Sequence, residues 1–162
     1  MFHPAGVEVN WASFAKKPPF PEAAPKRGAK RRGYLYELKA QKYLMKVFGK
    51  WYWPSPWIAY RADGQGRTRY CQPDGIHFDP EAGRITVVEV KYSHTLDAYF
   101  QLQEKYLPVL QHMFPASKGW EFCALEVVRW FDPLVKFPHG FQLAKNPRAL
   151  KPGVIGVHIY YE

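Results

Sequence analysis

Apolar side chains recur at three- and four-residue steps from Lys30 to Phe48 and a glycine follows at Gly49, a spacing that predicts an amphipathic helix stopped by that glycine. At ~100° per residue, Tyr34, Leu38, Met45 and Phe48 fall on one side of Glu37, and Ala40, Leu44 and Val47 fall on the other. Lys39, Lys42 and Lys46 lie opposite. Glu37 is therefore expected near the middle of the apolar stripe, where a desolvated carboxylate needs a cation or a metal beside it.

Further on the period shortens to two. A strand is expected from about Trp57 to Arg61, a turn over Asp63 to Gly66, and a second strand from about Arg67 into "PDGIHFDPEAGRITVVEVK", Pro73 to Lys91. Thr95 can cap a helix from Leu96 to about Phe114 with Leu96, Tyr99, Phe100, Tyr106, Leu107 and Leu110 as its apolar face, kinked or shortened by Pro108. "WEFCALEVVRW" predicts a buried strand and "GVIGVHIYY" a late one; the Pro-rich, basic stretch between them is expected to be mostly loop, with one helical turn at most. The order is helix, three strands, helix, strand, strand. It predicts an α/β fold with a central mixed sheet flanked by helices.

With 162 residues, 47% apolar and 17% aromatic, the chain can build one domain with its own core, expected over residues 26–162. Residues 1–25 contain "KKPPFPEAAP", whose prolines remove backbone donors, and are expected to form an N-terminal arm. The net charge of +9 makes a polyanion, nucleic acid above all, the expected large partner. "KRGAKRR" packs five cations into seven residues. Lys26, Arg27, Lys30, Arg31 and Arg32 are thus either phosphate contacts or a solvated helix start. Cys71 and Cys123 show no metal-type spacing, no signal-like segment opens the chain, and no run of apolar residues is long enough to span a membrane. A soluble protein of a reducing intracellular compartment is expected.

Pro80 to Gly83 is a strong four-residue turn, so the simplest hairpin pairs Asp79 with Arg84 and, counting inward, sets Asp74 across from Glu89. Alternation puts Asp74, Ile76 and Phe78 on one face with Ile85, Val87, Glu89 and Lys91. Opposed carboxylates repel, so something positive belongs between them. Lys91 as a structural ion pair is one solution. A divalent cation held by Asp74, Glu89 and the Val90 backbone carbonyl, with Glu37 as a further direct or outer-sphere ligand, is the other; Mg²⁺ favours such a set, carboxylates supplemented by water and substrate phosphate.

Pro73-Asp74 followed by Glu89-Val90-Lys91 resembles the signature of the PD-(D/E)XK nuclease superfamily, in which two acids bind Mg²⁺ beside a lysine. The element order over roughly Lys30 to Trp130 is similar to that superfamily's restriction-endonuclease-like core, αβββαβ, and Glu37 resembles the inward glutamate of its first helix. Gln103, on the apolar face of the second helix, resembles the glutamine many members carry there, most like virus-type replication-repair nucleases and Holliday-junction resolvases. Exonuclease members have a tyrosine four residues after the glutamine; here Leu107 holds that place and Tyr106 falls one earlier. The resemblance implies a Mg²⁺-dependent nuclease, Mn²⁺ substituting, with Asp74 and Glu89 on the metal, Lys91 orienting or deprotonating the attacking water, and Gln103 positioning it. Members often cut branched or mismatched DNA as dimers, so structured DNA and a homodimer are implied as partners, with RNA left open.

The histidines show no paired ligand spacing, and only His94, just past Lys91, is placed to reach the acids. Two other functions stay open on the residues: a nucleic-acid-binding or assembly protein with a silent site, and, more weakly, a hydrolase using paired acids on a sugar or small molecule.

Overall fold

The computed structural model describes residues 8–18, 28–62 and 66–161. In chain order the strands and helices are β1 (Val9–Ala15), α1 (Gly28–Phe48), β2 (Tyr52–Pro54), β3 (Trp57–Ala62), β4 (Arg69–Cys71), β5 (Gly75–Asp79) and β6 (Arg84–Ser93). A helical run follows, made of α2 (Leu96–Tyr99), a π-helical segment (Phe100–Tyr106) and α3 (Leu107–Met113), and then β7 (Glu121–Trp130), β8 (Gln142–Leu143) and β9 (Ile155–Ile159). Six strands form one mixed sheet in the order β2-β5-β6-β7-β9-β8, antiparallel from β2 to β6 and parallel from β6 onward. Helices flank it, so the mixed α/β architecture is as expected.

The three expected strands are divided differently. β3 and β4 leave the main sheet and form a separate three-stranded sheet, β1-β3-β4, in which β3 pairs with both β1 and β4. Their place in the large sheet is taken by β2, three residues that end in Pro54. Proline lacks an N–H and suits an edge strand, and so short a strand carries no period to read. The single strand expected from Arg67 onward is broken at Gln72–Asp74, where buried Pro73 supplies no donor and the chain crosses between sheets. Ser55 and Gln72 tie the crossing, with Ser55 N–H donating to the Asp74 carbonyl at 2.8 Å and Gln72 Nε2 to the Ser55 carbonyl at 2.9 Å. Within the expected arm, Val9–Ala15 forms β1 and its Phe14 packs among Trp53, Phe78 and Phe114.

The large sheet has a core on each face. One holds Ile76, Ile85, Val87 and Val128 against the helical run; the other holds Val88, Val90, Leu125 and Val127 against Tyr36, Ala40, Leu44 and Phe48 of α1. Those four helix residues follow an i, i+4 row, the narrow stripe a helix lays on a sheet. The stripe is thus centred one residue from Glu37: Leu38 and Met45, expected inside, are 45% and 50% exposed, and Glu37 lies half-buried at the border. Thr95 caps the second helical run as expected, its Oγ1 accepting from Ala98 N–H at 3.4 Å. The run does not break at Pro108. The wider π turns come directly before it and give room for a ring that would crowd an ordinary α turn. Cys71 and Cys123 are free and buried in different cores, and burial pushes their thiols up to about 12 and about 11.

Candidate active site

The β5–β6 hairpin has the register set by its turn: Asp79 pairs with Arg84 and the ladder runs to Gly75 opposite Val88. One step further, Asp74 turns its Oδ2 to the Val90 N–H at 2.6 Å. In a strand the N–H and C=O of one residue face the same side, so the Val90 carbonyl also looks toward Asp74. Lys91 Nζ lies 3.3 Å from Glu89 Oε1, while Glu89 Oε2 is buried and accepts no hydrogen bond among the described residues.

α1 holds this corner from the other side. Gln41 Nε2 donates to the Asp74 carbonyl, and Tyr52 Oη donates to Gln41 Oε1 at 2.6 Å. Tyr52 lies so close over Gly75 that a Cβ there would come within 2.0 Å of its hydroxyl, which is why glycine follows Asp74. Glu37 meets Asp74 carboxyl to carboxyl, a contact that raises Glu37. Burial raises Glu37, Asp74 and Glu89 to about 7 each; for Asp74 the Glu89 charge adds to it, and for Glu89 the Lys91 ammonium offsets part of it. Three acids thus crowd one ammonium.

Asp74, Glu89, Lys91 and Glu37 come together. Gln103 is buried on the π-helical segment, which packs on β6. Three residues on, Tyr106 donates its Oη to the Gln72 carbonyl at 3.2 Å, and its hydroxyl is raised above the ordinary phenol value by burial and by the charges of Glu89 and Asp74. In the sequence Tyr106 reads as part of the apolar helix face, with no sign of its contact with Gln72. Lys30, Arg31 and Arg32 stand on the first turns of α1, with Lys30 and Arg32 exposed; Lys26 and Arg27 lie outside the described residues.

His94 does not join Lys91. Its Nδ1 lies 2.6 Å from Glu126 Oε2 and its Nε2 is 3.2 Å from the Val135 carbonyl, inside a box of Phe131, Phe137 and Phe141. Glu126, fully buried on β7 and in parallel register with Glu89, accepts the Thr95 N–H at 3.2 Å and is raised by burial to about 8. A glutamate amid "FCALEVV" was the signal for a buried partner; which partner depends on the β6–β7 pairing.

The donor set is all oxygen, with Glu89 Oε2 unpartnered among the described residues and the Val90 carbonyl on the Asp74 side, which suits a small hard divalent cation that keeps several waters. Among the described residues no three His, Cys, Asp or Glu side chains form a ready cage. Comparison of the chain with protein-family models, with curated proteins and with solved structures returns no match. No helix among the described residues is long and apolar enough to cross a membrane.

Proposed function

We propose that the protein is a divalent-metal-dependent nuclease that hydrolyses phosphodiester bonds in DNA, acting as an endonuclease on branched or otherwise structured strands. The observation that carries this reading is the Glu89 carboxylate, buried with Oε2 unpartnered among the described residues, beside a second raised acid, Asp74. Such a pair is costly to keep without a cation to share. The strand order also supports a restriction-endonuclease-like core, αβββαβ, if β2, β5 and β6 are its meander, the helical run its second helix, β7 its fourth strand, and β3 and β4 an insertion.

Asp74, Glu89 and the Val90 carbonyl would hold Mg²⁺, with Mn²⁺ substituting and Glu37 as a further ligand directly or through water. When bound, the ion supplies a water of lowered pKa and positive charge against the phosphate. Lys91 then orients the attacking water or stabilises the charge that grows on the phosphorus oxygens. Gln103 and Tyr106 hold the groups around it from the helical side, and Gln41 with Tyr52 fixes the Asp74 backbone.

The test is cleavage of labelled duplex, single strand, flap and four-way junction with Mg²⁺, Mn²⁺ or EDTA, beside Asp74→Ala and Lys91→Ala. Metal-dependent cutting that both substitutions remove is expected. The second reading, a nucleic-acid-binding or assembly protein with a silent site, is favoured by the direct Lys91–Glu89 ion pair, which already neutralises one acid. Tight binding by the parent protein with no cutting under any metal would decide for it.

A further inference from the structure

At the C-terminal ends of β6 and β7 the guanidinium of Arg129 lies against three aromatic rings, 4.5 Å from the centroid of Tyr161, 5.2 Å from Trp130 and 5.6 Å from Tyr92. Its one hydrogen bond of note is long, Nη1 to Tyr92 Oη at 3.4 Å, and no carboxylate pairs with it among the described residues. A guanidinium carries five donors, so most of this one's have no acceptor among the described residues. Aromatic stacking holds the plane without using those donors, and Trp130 and Tyr161 are themselves 53% and 64% exposed.

Arg129 and Tyr92 lie on the face of the large sheet that α1 covers, opposite the face of Glu89 and Lys91. In the parallel β6–β7 ladder Lys91 is level with Val128 and Ser93 with Trp130, which puts Arg129 beside Tyr92, one residue beyond Lys91. Tyr92 makes an edge contact with Tyr36, the neighbour of Glu37, and the cations Lys30, Arg31 and Arg32 start the same helix.

We propose that Arg129 is a phosphate clamp: its guanidinium, held against the aromatic rings, binds a backbone phosphate of a nucleic-acid strand. The clamp rests on the nuclease reading for its substrate, but its signature is in binding. Each phosphate neutralised by a side chain adds about 0.9 to the slope of log affinity against log salt.

The experiment measures anisotropy of labelled duplex, single-strand and flap DNA and of single-stranded RNA, with Ca²⁺ in place of Mg²⁺, across about 50 to 200 mM salt. It compares the parent with Arg129→Gln, Arg129→Lys and Lys118→Gln, the last removing one exposed cation at the opposite end of β7. Arg129→Gln is expected to weaken binding about tenfold and flatten the slope by about one on every strand it touches, with Lys118→Gln unchanged. Arg129→Lys keeps the charge and stem, so it decides if Arg129→Gln fails to melt cooperatively. A loss of at least about threefold is expected there, since an ammonium cannot reproduce the stacked fork. Parent-like affinity and slope in Arg129→Gln, or an equal loss in Lys118→Gln, would overturn the clamp, as would failure of the parent to bind any strand. Cutting that survives with unchanged Arg129→Gln binding leaves the nuclease and removes the clamp; binding lost in Arg129→Gln while the parent never cuts does the reverse.

Discussion

Asp74 is a residue whose charge the fold tolerates poorly. Burial and Glu89 raise its carboxyl to about 7, above its unfolded value, so its contribution to stability is full below pH 4 and is lost as pH rises through about 7. Asp74→Asn keeps an oxygen for the Val90 N–H and removes the charge. It is expected to stabilise the metal-free protein by about 1–2 kcal/mol at pH 8, little at pH 4, while cleavage falls by about a thousandfold or more; urea unfolding at the two pH values, beside a cleavage assay, checks both. Glu126 gives the contrasting case. Raised to about 8, it is protonated at neutral pH, with Oε2 facing His94 and Oε1 accepting from Thr95, a pattern an amide reproduces. Glu126→Gln should change stability by less than about 1 kcal/mol at pH 6 and exceed the parent above pH 8, because the parent alone loses stability through that range; denaturation at pH 6 and pH 9 measures it. The Asp74–Glu89 opposition was legible in the residues, since turn chemistry and alternation together leave one register. Glu126 with His94 was not, because the pair is assembled across a parallel crossover.

At the scale of elements, the hairpin and the helix that grips it act as one unit. Gly75 gives Tyr52 its place, and Tyr52 in turn orients Gln41 on the Asp74 carbonyl. Gly75→Ala is expected to destabilise by about 1–3 kcal/mol through that clash, and with Tyr52→Ala the two costs should add to less than their sum; a double-mutant cycle on unfolding free energies reads the coupling. Helix existence, the Thr95 cap and the long buried strands followed from period and capping chemistry, which are local. The exchange of β3 and β4 into a second sheet did not, because β3's partner β1 lies more than forty residues upstream and no local pattern selects it. The stripe of α1 was misjudged by one residue for a related reason: periodicity shows that a face is apolar, and the sheet decides which line of it is covered.

For the whole molecule, crowded acids and a +9 charge make opposite demands, one for a small cation and one for a polyanion. Mg²⁺ or Ca²⁺ at about 100 times its Kd should stabilise the protein by about 2.7 kcal/mol at pH 8, seen as a higher melting temperature, and by much less at pH 5.5, where the three acids carry protons. The gain should vanish in Asp74→Asn, and its persistence there would move the metal elsewhere. The sequence by itself determined what depends on neighbours in the chain: the helices, the hairpin register, and two acids and a lysine gathered at one end of a ribbon. Only the tertiary structure decided what depends on contacts between distant segments: the second sheet, the meeting of Glu37 with Asp74, the burial of His94 on Glu126, and the rings that hold Arg129. Local preferences act over a few residues, whereas desolvation and stacking require surfaces that exist only once the chain has closed on itself.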